Sequence, residues 1–272
     1  MRDALPYAVP VSERISYVYL ERARIERDGH TLVAKRDGGE TTQIPVGRTA
    51  VLMLGPGCSI THAAVALCAL ESATVLWTGE RGVRLYAHGN PRGDGTALLR
   101  QARIRLDPRM RLVAAREIWR LMFDESPHPK HSLEQLRGDE GQRVKSLFTR
   151  FANECQVEWT GRIAGGSDPL NNALDVANSC LYGLTEAVIL AIGLSPAIGF
   201  VHAGDPRSFV FDIADTIKFK SIIPAAFHLV AESRLNIEPR TRRMCRDVFY
   251  DGNLASCIIA NTMSVMDATT SD

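Results

Sequence analysis

The residues of this chain that could do chemistry concentrate in positions 196–224, PAIGFVHAGDPRSFVFDIADTIKFKSIIP. The apolar run 197–201 predicts a short strand that ends at His202, where a Gly-Asp-Pro sequence breaks the chain. Apolar residues at helical spacing predict a helix after this break, with Asp212 and Asp215 at neighbouring positions of one face. One imidazole and two carboxylates in so short a span are the ligand types of a divalent-metal site.

A further candidate is Glu140, which interrupts the apolar stripe of a helix predicted over residues 133–155. A carboxylate on a buried stripe is costly unless it is paired or coordinates a metal. The alternative to a metal ligand is a buried ion pair with Arg137 or Arg143. The sequence pattern alone leaves both interpretations open.

The simplest alternative makes the whole cluster structural. Asp212 and Asp215 would then be solvated helix residues, with Lys218 paired to Asp215, and His202 would cap or pack. If Glu140 and these residues instead converge, they form a site suited to Mg²⁺ or Mn²⁺. Such an ion can activate a water or a 3′-hydroxyl and stabilise a leaving oxygen, so the residues predict metal-dependent phosphodiester chemistry on nucleic acid.

The elements that must position these residues fall into two regions. Residues 1–87 show short strands separated by turns, including an Asp28-Gly29 hairpin turn, and predict an N-terminal β-domain with one helix at 62–70. Residues 88–95 read as a turn-rich linker, and 96–272 as a helical catalytic domain. The predicted fold class is α+β, with a small N-terminal β-sandwich domain followed by a larger all-α C-terminal domain.

The net charge of the chain restricts how it could bind nucleic acid. The 272-residue chain has a formal net charge of +1, so nucleic acid would have to bind through a local patch rather than an overall field. Arginine-rich helices predicted over 98–106 and 110–123 are the best such patch, and an ordinary solvated helix face is the alternative.

The spacing of the cysteines and the hydropathy of the chain argue against a zinc-binding, disulfide-rich, secreted or membrane-spanning protein. The six cysteines are widely spaced and never form a C-x-x-C motif, which argues against a zinc site or a disulfide framework. The N-terminus lacks the core of a signal peptide, and the longest apolar run is too short and too broken to span a bilayer. We therefore expect a cytoplasmic protein with no membrane partner.

Three long segments of the helical region carry a family resemblance: HSLEQLRGDEGQRV at 131–144, NSCLYGLTEAVILAIGLSPAIGFVHAG at 178–204 and SFVFDIADTIKF at 208–219. With N-terminal segments such as IPVGRTAVLMLGPG and LWTGERGVRLYA, they resemble the CRISPR-associated spacer-acquisition integrase in its type I-E form. The resemblance covers nearly the whole chain. It implies an integrase that inserts prespacer DNA into the CRISPR repeat by metal-dependent attack of a 3′-hydroxyl.

The resemblance also implies partners and residue roles. It implies a homodimer, double-stranded DNA as prespacer and repeat, and a dimer of a small companion Cas protein that completes a heterohexamer. The implied metal ligands are Glu140, His202 and Asp215, with Asp212 as an additional catalytic acid and Mg²⁺ or Mn²⁺ as the ion. The implied DNA contacts are Arg84, Tyr182, Lys218, Arg242 and Arg246.

Two other functions use the same residues. One is a stand-alone nuclease for branched or single-stranded DNA. The other is a DNA-binding assembly subunit whose acidic cluster is structural rather than catalytic. Departures from the type I-E pattern at Arg22, Ser59 and Asp205 leave the metal set intact and bear on how DNA is gripped.

Overall fold

The computed structural model describes residues 17–79, 85–89, 95–166 and 168–270 of the 272. They divide into two compact units. The first holds the described residues up to Leu98 together with Ala187–Leu194, and the second holds Leu99–Glu186 together with the residues from Ser195 onwards.

The first unit contains two four-stranded sheets. Its described strands are β1 Val18–Leu20, β2 Ala23–Asp28, β3 Thr31–Arg36, β4 Thr41–Ile44, β5 Val51–Leu54, β6 Ser59–Ile60, β7 Thr74–Thr78 and β8 Leu85–Gly89. One sheet is mixed, with the order β1-β5-β7-β8, and the other has the order β4-β3-β2-β6. The predicted hairpin turn joins β2 to β3, where Gly29 takes a φ of 59° that side chains other than glycine rarely adopt.

Strand β5 lies at the centre of this unit and is buried on both faces. Leu52 packs with residues of β2, β3 and helix α1 (His62–Leu70) in a core that both sheets share. Val51 and Met53 point the other way and pack with Ala187 and Leu190. Successive side chains of a strand point to opposite faces, so β5 contributes residues to two hydrophobic clusters.

The first unit does not end where the sequence suggested. Strand β8 runs through residues 88 and 89, which the sequence assigned to the linker 88–95, and residues 90–94 lie outside the described part. The segment Ala187–Leu194 also groups with the strands, although the predicted division was into two continuous stretches. Apolar residues of a helix can pack in the core of either unit, so the sequence pattern could not predict the unit to which this segment belongs.

After the strands, the main regular elements of the described chain are helices. They are α2 Thr96–Leu106, α3 Pro108–Phe123, α4 Leu133–Cys155, α5 Pro169–Ala191, α6 Ser208–Lys218, α7 Ile222–Glu232, α8 Ile237–Asp251 and α9 Leu254–Asp267. Strands in the first ninety residues followed by helices confirm the predicted fold class.

Helix ends follow their capping residues. Asp107 caps α3, its Oδ1 accepting from the amides of Arg109 at 2.8 Å and Met110 at 3.2 Å. Ser132 and Gln135 form a capping box at the start of α4. The predicted break between α2 and α3 and the predicted bounds of α4 are therefore confirmed.

The strand predicted at 197–201 is wrong. These residues form an irregular loop between α5 and α6. Their apolar composition suits a strand, but the amides of Phe200 and Val201 donate to the carboxylate of Asp212 instead of to a neighbouring strand.

Helix α5 is, within the described ranges, the one helix long and apolar enough to cross a bilayer. Of its most apolar stretch, 61% is buried inside the protein, as in an internal helix of a folded domain.

Candidate active site

The loop that carries His202 is fixed by Asp212. Asp212 is fully buried, and its Oδ2 accepts from the amides of Phe200 at 2.5 Å and Val201 at 3.0 Å. Its Oδ1 accepts from the amide of His202 at 2.9 Å and lies 2.8 Å from Nδ1 of the same residue. Both oxygens are therefore used within the protein, and Asp212 orients the histidine.

The contact between Asp212 and Nδ1 fixes the orientation of the His202 ring and affects its pKa. The hydrogen bond to Asp212 raises the pKa of His202 despite burial, and the charges of Asp215 and Glu140 act in the same direction. With Nδ1 bonded to Asp212, the free ring nitrogen is Nε2. A carboxylate that holds one imidazole nitrogen and leaves the other for a ligand is a common arrangement behind metal-binding histidines.

Asp215 has a different partner from Asp212. Its Oδ1 lies 2.5 Å from Nζ of Lys218, and the Asp215 side chain is 6% exposed and that of Lys218 17%. This is the ion pair that the structural interpretation of the cluster predicted. The ammonium group places a positive charge directly on one of the proposed metal ligands.

Glu140 lies close to the same charges. Burial and the charge of Asp215 raise the pKa of Glu140, while Lys218 and His202 act to lower it. Among the described residues Glu140 forms neither of the ion pairs that the sequence left open, with Arg137 or with Arg143, and Arg143 lies 2.5 Å from Glu125 instead. Glu140 is thus a partly buried carboxylate facing other carboxylates rather than an arginine.

The donor set fits a divalent ion in its chemistry. One imidazole nitrogen and the carboxylates of Glu140 and Asp215 are suitable ligands, and Lys218 already supplies a compensating positive charge. Their side chains are not gathered around one point, since no three His, Cys, Asp or Glu residues within the described ranges are close enough to hold an ion.

Phe211 lies between His202 and Tyr182, one of the predicted DNA-contacting residues. Its ring centroid lies 5.7 Å from that of His202 and 4.9 Å from that of Tyr182, edge-on in both cases. The guanidinium of Arg207 lies over the same ring at 5.3 Å. Phe211 and Arg207 were missed from the sequence, where Phe211 looked like one more apolar helix residue.

Tyr182 and Lys218 also line a cavity of about 620 Å³ in the second unit. Its wall includes Trp159, stacked on Phe148 at 5.0 Å, and the side chain of Asn178, whose buried Oδ1 has no hydrogen-bond partner. The cavity combines cations, aromatic rings and a free acceptor next to the charged cluster.

The predicted DNA contacts Arg242 and Arg246 form ion pairs with residues outside this cluster. Arg242 pairs with Glu238, and Arg246 with Asp247 at 2.9 Å, both along α8. Arg84 lies outside the described residues. Asp205 accepts from the amide of Arg207 at 2.7 Å and so closes the turn before α6.

The predicted basic patch on α2 and α3 is partly used inside the protein. Arg100 pairs with Asp267 at 2.9 Å, and Arg120 with Glu117 at 2.7 Å. Arg111 and Arg116 donate to backbone carbonyls of two loops. These four arginines therefore have structural partners, and for Arg100 and Arg120 a carboxylate offsets the charge.

The chain matches the family model for CRISPR associated protein Cas1 over residues 16–126 and 121–244. It is 41% identical over 267 residues to the CRISPR-associated endonuclease Cas1 of Geobacter sulfurreducens, covering 96% of this chain and 87% of that protein. The CRISPR-associated endonuclease Cas1 of Escherichia coli K12 is 40% identical over 266 residues, with the same coverage. The crystal structure of a TtCas1–DNA complex aligns with a TM-score of 0.83 and 39% identity, covering 92% of this chain and 95% of that one.

A strand-rich unit followed by a helical unit is a Cas1-like fold. The chain belongs to the CRISPR-associated Cas1 family. The resemblance found in the sequence motifs is thereby confirmed.

Proposed function

We propose that this chain is a metal-dependent integrase and endonuclease of CRISPR adaptation, which inserts prespacer DNA into the CRISPR repeat. The observation that carries the proposal is that buried Asp212 and Asp215 act electrostatically on partly buried Glu140 and on His202, in a chain of the Cas1 family. A carboxylate whose pKa is raised by burial and by neighbouring carboxylates costs folding stability, and such perturbed groups concentrate at functional sites.

The chemistry is a transesterification. The oxygen of a prespacer 3′-hydroxyl attacks a phosphorus at the repeat boundary, a new P–O bond forms, and the bond to the repeat strand's own 3′-oxygen breaks. The hydroxyl proton is lost to solvent, and the departing oxygen takes up a proton. Mg²⁺ or Mn²⁺, when bound, would supply the positive charge that favours deprotonation of the nucleophile and stabilises the leaving oxygen.

The protein's own residues have separate tasks in this proposal. Glu140, His202 through Nε2, and Asp215 would hold the ion, and Asp212 keeps the imidazole oriented. Lys218 and Tyr182, close to the cluster, would contact the phosphate that reacts.

The partners follow from the family. A relative's structure contains DNA, which supports double-stranded DNA as the ligand of this chain. A homodimer, a companion Cas dimer that completes a heterohexamer, and action in the cytoplasm are part of the same proposal. Arg84, Arg242 and Arg246 would bind flanking phosphates.

The proposal is tested by strand joining. A labelled duplex with 3′-hydroxyl ends is incubated with a plasmid that carries a CRISPR repeat, the companion protein and Mg²⁺ or Mn²⁺. We expect label to enter the plasmid with metal and not with EDTA, and we expect Glu140→Ala and His202→Ala to lose this activity.

The same assay separates the alternatives. Cleavage of DNA with no joining, even with the companion protein present, would indicate a stand-alone nuclease. Metal-independent DNA binding that Asp215→Ala leaves unchanged, with no turnover, would indicate an assembly subunit. The Lys218–Asp215 ion pair is the observation that favours this last alternative.

A further inference from the structure

The loop of residues 195–202, here called the histidine loop, carries His202 without regular secondary structure. Backbone groups in such a segment need partners from outside it wherever they are buried. Asp212 supplies acceptors for the three amides at its end. Two further side chains, one from α2 and one from α3, hold the rest.

Gln101 on α2 fixes the beginning of the histidine loop. Its side chain is fully buried, and its Oε1 accepts from the amide of Ser195 at 2.8 Å. Its Nε2 donates to the carbonyls of Ser195 and Ile198, each at 3.0 Å. One amide side chain therefore satisfies three backbone groups of the loop.

Arg111 on α3 fixes the end of the histidine loop. Its Nε donates to the carbonyl of Phe200 at 2.6 Å, two residues before His202. The amide of the same residue donates to Asp212, so Phe200 is held from both sides. Asp212 also acts electrostatically on Arg111, which places the two charges near each other.

We infer that Gln101 and Arg111 are positioning residues, which set the place of the His202 imidazole relative to Glu140 and Asp215. The inference rests on the proposed function for the role of that imidazole. It goes beyond that function in assigning a role to two residues whose hydrogen bonds go to the backbone of the histidine loop rather than to the proposed metal ligands.

A rival explanation exists for Arg111 alone. Arg105 and Arg137 lie near enough for their charges, with burial, to lower the pKa of Arg111. The three arginines could instead form a phosphate-binding group. The two explanations differ in whether the loss of Arg111 changes the rate of joining or the affinity for DNA.

The test compares Arg111→Met, Arg111→Lys and Gln101→Glu with wild type, in complex with the companion protein. The first removes the donor, the second keeps a donor and a charge, and the third replaces the Nε2 donor with an acceptor facing two carbonyls. The measurements are the single-turnover rate of strand joining at saturating 3′-hydroxyl duplex, the Kd of that duplex, and the imidazole ¹⁵N shifts of His202.

We expect Arg111→Met and Gln101→Glu to slow joining by roughly ten- to a hundredfold, as the loss of groups that orient metal ligands does, with Kd changed less than about twofold. Arg111→Lys should recover part of the rate. In metal-free Arg111→Met and Gln101→Glu proteins, the imidazole ¹⁵N shifts of His202 should move from those of one tautomer towards those of a mixture of the two.

Arg116→Met is the matched control. Arg116 lies on the same helix, and its Nη2 donates to the carbonyls of Pro129 and, at 3.1 Å, His131 in a different loop. We expect this variant to lose stability with unchanged joining and unchanged His202 shifts.

Two results would overturn the inference. A weaker Kd with an unchanged saturated rate in Arg111→Met would make Arg111 a phosphate contact, and unaltered His202 shifts in both severe variants would leave the two residues a purely structural role. If wild type joins no DNA at all, the proposed function fails, and the ¹⁵N shifts still decide whether the two residues orient His202.

Discussion

Asp212 and Asp215 lie three residues apart on helix α6 and have different hydrogen-bond and ion-pair partners. Asp212 accepts hydrogen bonds from three backbone amides and contacts the imidazole of His202, whereas Asp215 pairs with Lys218. The spacing placed both on one helix, and the family resemblance implied a metal ligand at Asp215 and an additional acid at Asp212, but neither predicted which groups each carboxylate contacts. The difference depends on a loop ten residues upstream that has no periodic pattern.

Replacement of Asp212 by asparagine tests its role. The amide nitrogen cannot accept a hydrogen bond, so at least one buried amide of the histidine loop loses its partner, and we expect the free energy of unfolding to fall by about 1–3 kcal/mol. Chemical denaturation measures this loss. Asp107→Asn is the control, because asparagine caps a helix about as well as aspartate, and the fold should change little. Equal effects of the two changes would contradict the assigned role.

Replacement of Glu140 by glutamine should stabilise the metal-free fold while abolishing strand joining. The pKa of Glu140 is raised in the fold, so its charge destabilises the protein above the unfolded-chain pKa of about 4.3, and this penalty disappears as the pH falls towards that value. We expect unfolding free energy at pH 7 to rise on the order of 1 kcal/mol, with no gain near pH 4.

Urea unfolding in EDTA at both pH values measures the effect of Glu140→Gln. Glu154→Gln on the same helix is the control, because Glu154 is exposed and should change stability by less than about 0.5 kcal/mol. A Glu140→Gln variant that is less stable than wild type at pH 7 would show that the carboxylate is well accommodated in the fold.

At the scale of elements, helices were predicted well and the histidine loop was not. Caps such as Asp107 and Ser132 are local signals, so the ends of α3 and α4 could be read directly. The apolar run before His202 was read as a strand, because composition does not reveal that its donors go to a side chain. Gln101 and Arg111 were missed for the same reason, since a loop clamped from two helices has no sequence period.

Gly199 is the tightest point of this loop. A Cβ at this position would lie 2.7 Å from the carbonyl oxygen of His202 and 2.8 Å from atoms of Ser208. We expect Gly199→Ala to displace the loop, lower the unfolding free energy by about 1–3 kcal/mol and reduce joining at least tenfold.

Gly138→Ala on α4 is the control for Gly199→Ala, because a Cβ there meets nothing within 4 Å. Alanine in an exposed helix should stabilise the protein by up to about 1 kcal/mol. Melting temperature and joining rate measure both variants, and a Gly199→Ala protein with wild-type values would show that the loop has room to adjust.

At the scale of the whole molecule, composition and motifs predicted the fold class and the family. The joining of Ala187–Leu194 to the strand-rich unit could not be predicted, because its apolar residues would suit either core. With a net charge of +1, DNA would have to bind this chain through a local basic patch rather than through an overall field.

The salt dependence of DNA binding tests two of those arginines. If Arg242 and Arg246 each contact a phosphate, Arg242→Gln and Arg246→Gln should each reduce the slope of log K against log salt by about 0.9. Fluorescence anisotropy over a range of salt concentrations measures the slope. Arg240→Gln on the same helix is the control, because Arg240 donates to the carbonyls of Ser233 and Leu229 and pairs with Glu232. An unchanged slope in both test variants would remove these arginines from the interface.

The central claim is that Glu140, His202 and Asp215 together bind a divalent ion. Electron paramagnetic resonance of Mn²⁺ titrated into the purified chain measures this binding without any assumption about DNA. We predict one site whose affinity falls at least tenfold in His202→Gln and Glu140→Gln and is kept in Asp139→Asn, whose carboxylate pairs with His131 at 2.9 Å. Equal Mn²⁺ affinity in wild type and all three variants would contradict the claim.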